Sequence, residues 1–134
     1  MSVAVAHKVT PSAHLLLEQA GREAALRQTS LTVIEVIDSL DLDIVEAHRA
    51  GLLDTVKRDL AQAGVDGVDV DVRVATGVDD LAGSVLGAAK EAGAEVLVIG
   101  ARHRSPVGKL VLGSATQRII LDAEIPVLVV KVPS

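Results

Sequence analysis

The sequence contains no cysteine, tryptophan, tyrosine or phenylalanine. Without cysteine there is no disulfide, no thiol nucleophile and no thiolate metal site. Without aromatic rings there is no platform on which unpaired bases stack, the usual device of single-strand nucleic-acid binders. Positive charge is in deficit as well. The 13 Lys and Arg against 18 Asp and Glu leave a formal net charge of −5, which disfavours binding to a phosphate backbone. Long apolar runs are missing too: Val3 to Ala6 is too short for a secretory signal core, and no segment approaches the length of a membrane span. These absences predict a cytoplasmic protein with neither a nucleic-acid nor a membrane partner. The core has to be built from Val, Leu, Ile and Ala, and 134 residues suffice for one domain over residues 1–134.

Two periodicities alternate along the chain. Val3 to Ala6 reads as a strand, and Thr10-Pro11 as a helix opening with Thr as N-cap and Pro in the first turn. Ala13, Leu16, Leu17, Ala20 and Ala24 then recur at helical spacing. Leu31 to Ile37 is rich in β-branched residues and reads as a strand. Asp43-x-x-Glu46 resembles a capping box and opens a helix to about Ala63, with Val45, Leu52, Leu53, Val56 and Leu60 on its buried face and Gly64 just past its end. Val68 to Val74 alternates strictly with Asp69, Asp71 and Arg73, the pattern of an edge strand. Val78, Leu81, Ala82, Val85 and Ala89 mark a third helix, in which Gly83 and Gly87 lower helix propensity and are expected to allow close packing. The order of elements predicts an α/β fold with a parallel sheet; periodicity does not reveal the strand order.

The stretch from Glu95 to Lys131 concentrates the functional signals. A strand, Val96 to Ile99, runs into Gly100; a basic loop follows; Gly113-Ser114 opens a short helix; Pro126 ends the crossover and Val127 to Val132 is the last strand. In open parallel sheets ligands bind at the carboxyl ends of the strands, and a helix N-terminus offers free N–H groups and a positive dipole end to an anion. Arg102, His103, Arg104 and Lys109 bring positive charge into this loop, and Gly100, Gly108 and Gly113 permit close backbone approach. Two readings are open from these residues: a triphosphate cradle, or a charged surface loop in which Ser114 merely caps its helix. The four histidines (His7, His14, His48 and His103) are scattered with no i, i+4 pair, so no metal site is expected, and His14 and His48 are expected on helix surfaces. The acidic group Asp38, Asp41, Asp43 and Glu46 lacks calcium-loop spacing and reads as a solvated connection. No G-x-S-x-G and no phosphate-binding G-x-x-x-x-G-K-[ST] motif is present, and an efficient enzyme is not expected.

The same stretch resembles the C-terminal half of a universal stress protein domain. Nucleotide-binding members of that family carry Gly, two residues, Gly, nine residues, then Gly-Ser or Gly-Thr; Gly100, Gly113 and Ser114 fall on this spacing, and "PVLVVK" resembles the family's last strand. The resemblance covers almost the whole chain. It implies a Rossmann-like, adenine nucleotide alpha hydrolase-like three-layer sandwich, with four helices and a five-stranded parallel sheet of order 3-2-1-4-5. It implies a regulatory or stress-response module that binds ATP, with Mg²⁺ travelling on the nucleotide and at most slow incidental hydrolysis. It also implies a homodimer through the last strand, Pro126 to Val132. Val36 matches the family position that lines adenine and ribose. Two positions depart. His103 stands in the place of the second glycine, and His7 in the place of an Asp that contacts adenine; a histidine hydrogen-bonds, but it is not an obligatory acceptor as a carboxylate is. The expected site is therefore Val36, Gly100, Arg102, His103, Gly113, Ser114 and His7. The alternative is a family member that has no nucleotide and serves as a dimeric protein-interaction module.

Overall fold

The computed structural model describes residues 1–103 and 110–133. Its elements in chain order are β1 (Ser2–Ala6), α1 (Ala13–Leu26), β2 (Ser30–Val36), α2 (Leu42–Gln62), β3 (Val70–Ala75), a 3-10 turn (Val78–Asp80), α3 (Leu81–Glu91), β4 (Ala94–His103), β5 (Leu110–Val111), α4 (Ser114–Asp122) and β6 (Val127–Pro133). The parallel strands lie in the order β3-β2-β1-β4-β6. This is the 3-2-1-4-5 order implied by the resemblance, with β6 as its fifth parallel strand.

Alternation along the strands divides the core into two layers. Val3, Val5, Leu31, Val33 and Val98 pack with Leu17, Leu52 and Val56 of α1 and α2. Ala4, Ile34, Leu97 and Ile99 pack with Ala82, Val85, Ala89 and Ile119 of α3 and α4. A parallel sheet covered by helices on both faces has apolar residues at successive positions, which is why its central strands read as continuous apolar runs. Small residues replace the missing aromatics by letting elements approach. A Cβ built on Gly21 of α1 would come within 2.5 Å of Leu60 Cδ2 on α2.

Several local expectations are revised. The N-cap of α1 is Ser12 rather than Thr10, and the Ser12 hydroxyl donates to Pro133 O at 2.9 Å, tying the start of α1 to the end of β6. Helix α2 is capped by Asp41, whose carboxylate accepts from the Asp43 and Ile44 N–H groups, so the Asp43-x-x-Glu46 box is not the cap. In α3 the glycines do not bring another element close. A Cβ on Gly87 would meet nothing within 4 Å, and one on Gly83 would strike the Asp80 carboxylate, which caps α3 at the Gly83 N–H at 3.0 Å.

Strand β4 runs past Ile99, because β6 continues to pair with it as far as His103. Gly100 and Arg102 therefore stand on a strand and not in a loop. Two residues of the expected connection also form β5, which pairs antiparallel with Arg102 and His103. Strand β3 pairs only with β2 among the described strands, which makes it the edge that its charge alternation predicts.

Candidate functional site

A cleft of about 530 Å³ opens where the carboxyl ends of β1 and β4 meet the start of α4. The chain leaves β1 and β4 toward opposite faces of the sheet, and this divergence creates the crevice. Its floor is aliphatic: Ala6, Ile34, Val36, Leu81, Val85, Ile99 and Ile119 all contribute. Its polar lining comes from His7, Thr10, Ser12 and Thr116, and its cations are Lys8 and Arg102, with no Asp or Glu among the described lining residues. A protein of net charge −5 thus places positive charge at this edge.

Helix α4 starts beside the cleft. Gly113 is its N-cap, with φ −67° and ψ 162°, and the first helical bond runs from Gln117 N–H to Gly113 O at 3.0 Å. The N–H groups of Ser114, Ala115 and Thr116 precede that bond and have no backbone partner among the described residues, as the first turn of any helix requires. Gly113 needs no left-handed conformation. Its lack of a side chain matters because a Cβ there would stand in open space, with nothing within 4 Å. Gly100 is different: a Cβ on it would sit 3.3 Å from Leu16 Cδ2, so this glycine lets α1 pack close to β4 beneath the cleft.

Of the residues singled out in the sequence, Val36, Gly100, Arg102, Gly113 and His7 line the cleft together. Ser114 opens α4 but is exposed, and the cleft wall beside it is made by Gly113, Ala115 and Thr116. The backbone of His103 pairs with Leu110 and Pro133, while its side chain lies outside the described residues, as do Arg104, Gly108 and Lys109. Lys8, Thr10, Ser12 and Thr116 were not singled out. Three of them precede α1, where the only sequence signal was a predicted helix opening at Thr10.

The least expected feature is a buried chain of three side chains. Glu35 lies on the same face of β2 as Leu31 and Val33, and its side chain is only 7% exposed. One carboxylate oxygen accepts from His7 Nδ1 at 2.9 Å, and the other accepts from His48 Nε2. Burial by itself pushes the Glu35 carboxyl up. The hydrogen bonds from His7 and then His48, together with their charge, outweigh burial and hold it below its ordinary value. His48 is thus not the plain surface residue that its helix position suggested; its side chain is 35% exposed and is committed to Glu35. His14 is exposed, as expected. The two imidazoles take different oxygens and do not converge on one point, and no cluster able to hold a metal ion occurs among the described residues. A sequence signal for Glu35 existed: it is the one charged residue inside the apolar run Leu31 to Ile37.

Comparison with known proteins bears on this geometry. Residues 1–131 match the model of the universal stress protein family. A universal stress protein of Mycolicibacterium smegmatis is 36% identical over 129 residues, which is 96% of this chain and 96% of that protein. The solved structure of a universal stress protein in complex with cAMP superposes with a TM-score of 0.71 at 21% identity, covering 98% of this chain and 96% of the other. That of the universal stress protein from Archaeoglobus fulgidus in complex with dAMP superposes with a TM-score of 0.68 at 23% identity, covering 96% of each chain. At those identities the two structures establish a shared fold. No helix among the described residues is long and apolar enough to cross a membrane.

Proposed function

The chain belongs to the universal stress protein family, and from that premise we propose that it is a regulatory module of the cytoplasm that binds an adenine nucleotide, ATP with its Mg²⁺, in the cleft between β1 and β4. The observation that carries this reading is the pairing of an aliphatic floor with a cationic edge at the free N-terminus of α4. The floor, with Val36 in it, suits the flat face of a base. The N–H groups of Ser114, Ala115 and Thr116, with Lys8 and Arg102, suit the phosphates. A Mg²⁺ ion is held mainly by phosphate oxygens and water, and so needs few protein ligands. The cAMP and dAMP complexes of the structurally similar proteins support the choice of adenine. In this reading the cleft residues bind and orient, and among the described ones no hydroxyl is hydrogen-bonded to a base as an activated nucleophile would be. Hydrolysis is accordingly expected to be slow and incidental.

Calorimetric titration with ATP and Mg²⁺ tests the reading, together with extraction of the purified protein for co-purified nucleotide. Saturable heat at a ratio of one per chain is expected. No heat and no extracted nucleotide would leave the protein-interaction module as the function.

The module also acts as a homodimer in this reading. Strand β6 pairs only with β4 among the described strands, and Leu128 and Val129 on it are 38% and 37% exposed. An uncovered aliphatic edge strand seeks a partner, and two copies pair across a two-fold axis. Sedimentation at micromolar concentration is expected to give twice the 13.8 kDa chain mass, and Val129→Asp to give the single chain. A wild-type monomer would remove the dimer from the proposal.

A further inference from the structure

We propose that a second cavity, between α1 and α2 on the face of the sheet away from the cleft floor, binds a free aliphatic α-amino acid. Arg58 takes its carboxylate, and Asp59 and His7 Nε2 take its ammonium group. The inference stands apart from the nucleotide reading and holds or fails by itself.

The cavity measures about 680 Å³. Glu35 lies on its wall, on the strand face that Leu31 and Val33 present to α1 and α2; Ile34 and Ile99 of the cleft floor belong to the other face. From α2, His48, Gly51, Leu52, Thr55, Arg58 and Asp59 recur at helical spacing and line the space together. Gly51 is the informative member. It sits inside a helix, where glycine is destabilising relative to alanine. No close packing compensates, because a Cβ there would meet nothing within 4 Å. The missing side chain leaves room beside Leu52, Ala13 and Ala47, an aliphatic wall suited to an apolar side chain.

The charged groups suit a zwitterion. On α2, Arg49 pairs with Glu46, whereas Arg58 and Asp59 have no ion-pair partner among the described residues. They bring one cation and one anion to the same cavity. A guanidinium holds a carboxylate through two parallel hydrogen bonds. The buried imidazole adds the third contact. An ionised Glu35 offers only lone pairs, so the His7 Nδ1 proton lies in the bond to it at 2.9 Å. A neutral ring so placed has an acceptor at Nε2. Among the described residues no buried side-chain nitrogen or oxygen lacks a partner; Nε2 has none and is therefore open, on a ring that lines this cavity. An acceptor that shares its cavity with the Glu35 and Asp59 charges favours the N–H groups of a ligand over its oxygens. The ammonium group is thereby oriented inward and the carboxylate toward Arg58 at the exposed rim.

The test titrates the protein with L-leucine, with isocaproate, which lacks the ammonium group, and with isoamylamine, which lacks the carboxylate. Calorimetry is expected to show saturable binding of one L-leucine per chain, and each analogue to bind at least about tenfold more weakly. Arg58→Gln, at an exposed position, is expected to weaken L-leucine by a similar factor. Gly51→Leu puts a side chain into the cavity and is expected to abolish binding, with urea titration to confirm that it folds. Histidine ¹H–¹⁵N spectra of the wild-type protein need no variant. His48 borders this cavity and not the cleft, and its signals are expected to move as L-leucine is added. No heat and no movement of the His48 signals at about 10 mM L-leucine overturns the inference. So does an analogue that binds as tightly as L-leucine, or undiminished binding by folded Gly51→Leu. Each of these outcomes leaves the nucleotide reading untouched, because that reading is tested with ATP at the other cavity.

Discussion

Gly113→Asp is expected to abolish nucleotide binding while leaving the protein as stable as before, or slightly more so. Position 113 is the N-cap of α4, with an extended backbone at φ −67° and ψ 162° that any residue adopts. A Cβ built there meets nothing within 4 Å, so the fold has room for the new side chain. Asp is moreover among the best N-cap residues, and gains a few tenths of a kcal/mol, roughly, over Gly. Its carboxylate would lie against the free N–H groups of α4, in the position proposed for a phosphate. Juxtaposed like charges at a binding site cost several kcal/mol, so the dissociation constant for ATP is expected to rise by at least about 100-fold. Gly113→Ala separates charge from bulk: it adds a methyl in open space and is expected to change affinity by less than about tenfold. Calorimetry on both variants, with urea titrations to confirm folding, reads the result. Unchanged affinity in Gly113→Asp would reject the site at the start of α4.

Glu35→Ala is expected to produce a large loss of stability, with a pH signature that identifies its cause. The change leaves the His7 Nδ1–H without its acceptor in a side chain only 4% exposed, and frees His48. Hydrogen bonds to a charged group are worth about 1.5–3 kcal/mol each, which puts the loss near 3 kcal/mol or above at neutral pH. The direction in pH follows from the lowered Glu35 value. A carboxyl whose folded value lies below its unfolded one stabilises the protein above the unfolded value, here ordinarily 4.5, and loses that contribution as pH falls through the folded value. The gap between wild type and Glu35→Ala is therefore expected to narrow in acid, below the ordinary glutamate range. Urea unfolding from pH 7 down to pH 3 measures it. Parallel stability curves for the two proteins would show that Glu35 is not ionised against His7 and His48.

Local pattern determined a large share of this molecule. The alternation of Val70 and Val72 with Asp71 marked β3 as an edge, because a strand with one wet face has period two. The 3.6-residue spacing of Leu52, Val56 and Leu60 identified the buried face of α2. Gly64 and Gly93, at φ +74° and +65°, end helices where only glycine is at ease. Gly100 and Gly113 were visible because their spacing follows a family pattern, and Val36 because it matches a family position; all three line the cleft. Where strands begin and end was less visible. Strand β4 lengthens only because β6 keeps pairing with it, and a strand's own residues do not announce its neighbour.

The His7–Glu35–His48 chain was decided by tertiary structure alone. Its members lie 28 and 13 residues from Glu35 along the sequence and meet only after β1 has paired with β2 and α2 has folded over them. A glutamate in an apolar strand is costly until partners are found, and no window of neighbouring residues contains those partners. The same reason applies to Lys8, Thr10 and Ser12, which reach the cleft because the chain leaving β1 turns across its edge before α1 begins. Composition and period specified which residues would be buried and in what kind of element. Contact between residues distant in sequence chose which polar groups would face one another, because burial makes an unpaired polar group expensive while exposure makes it nearly free.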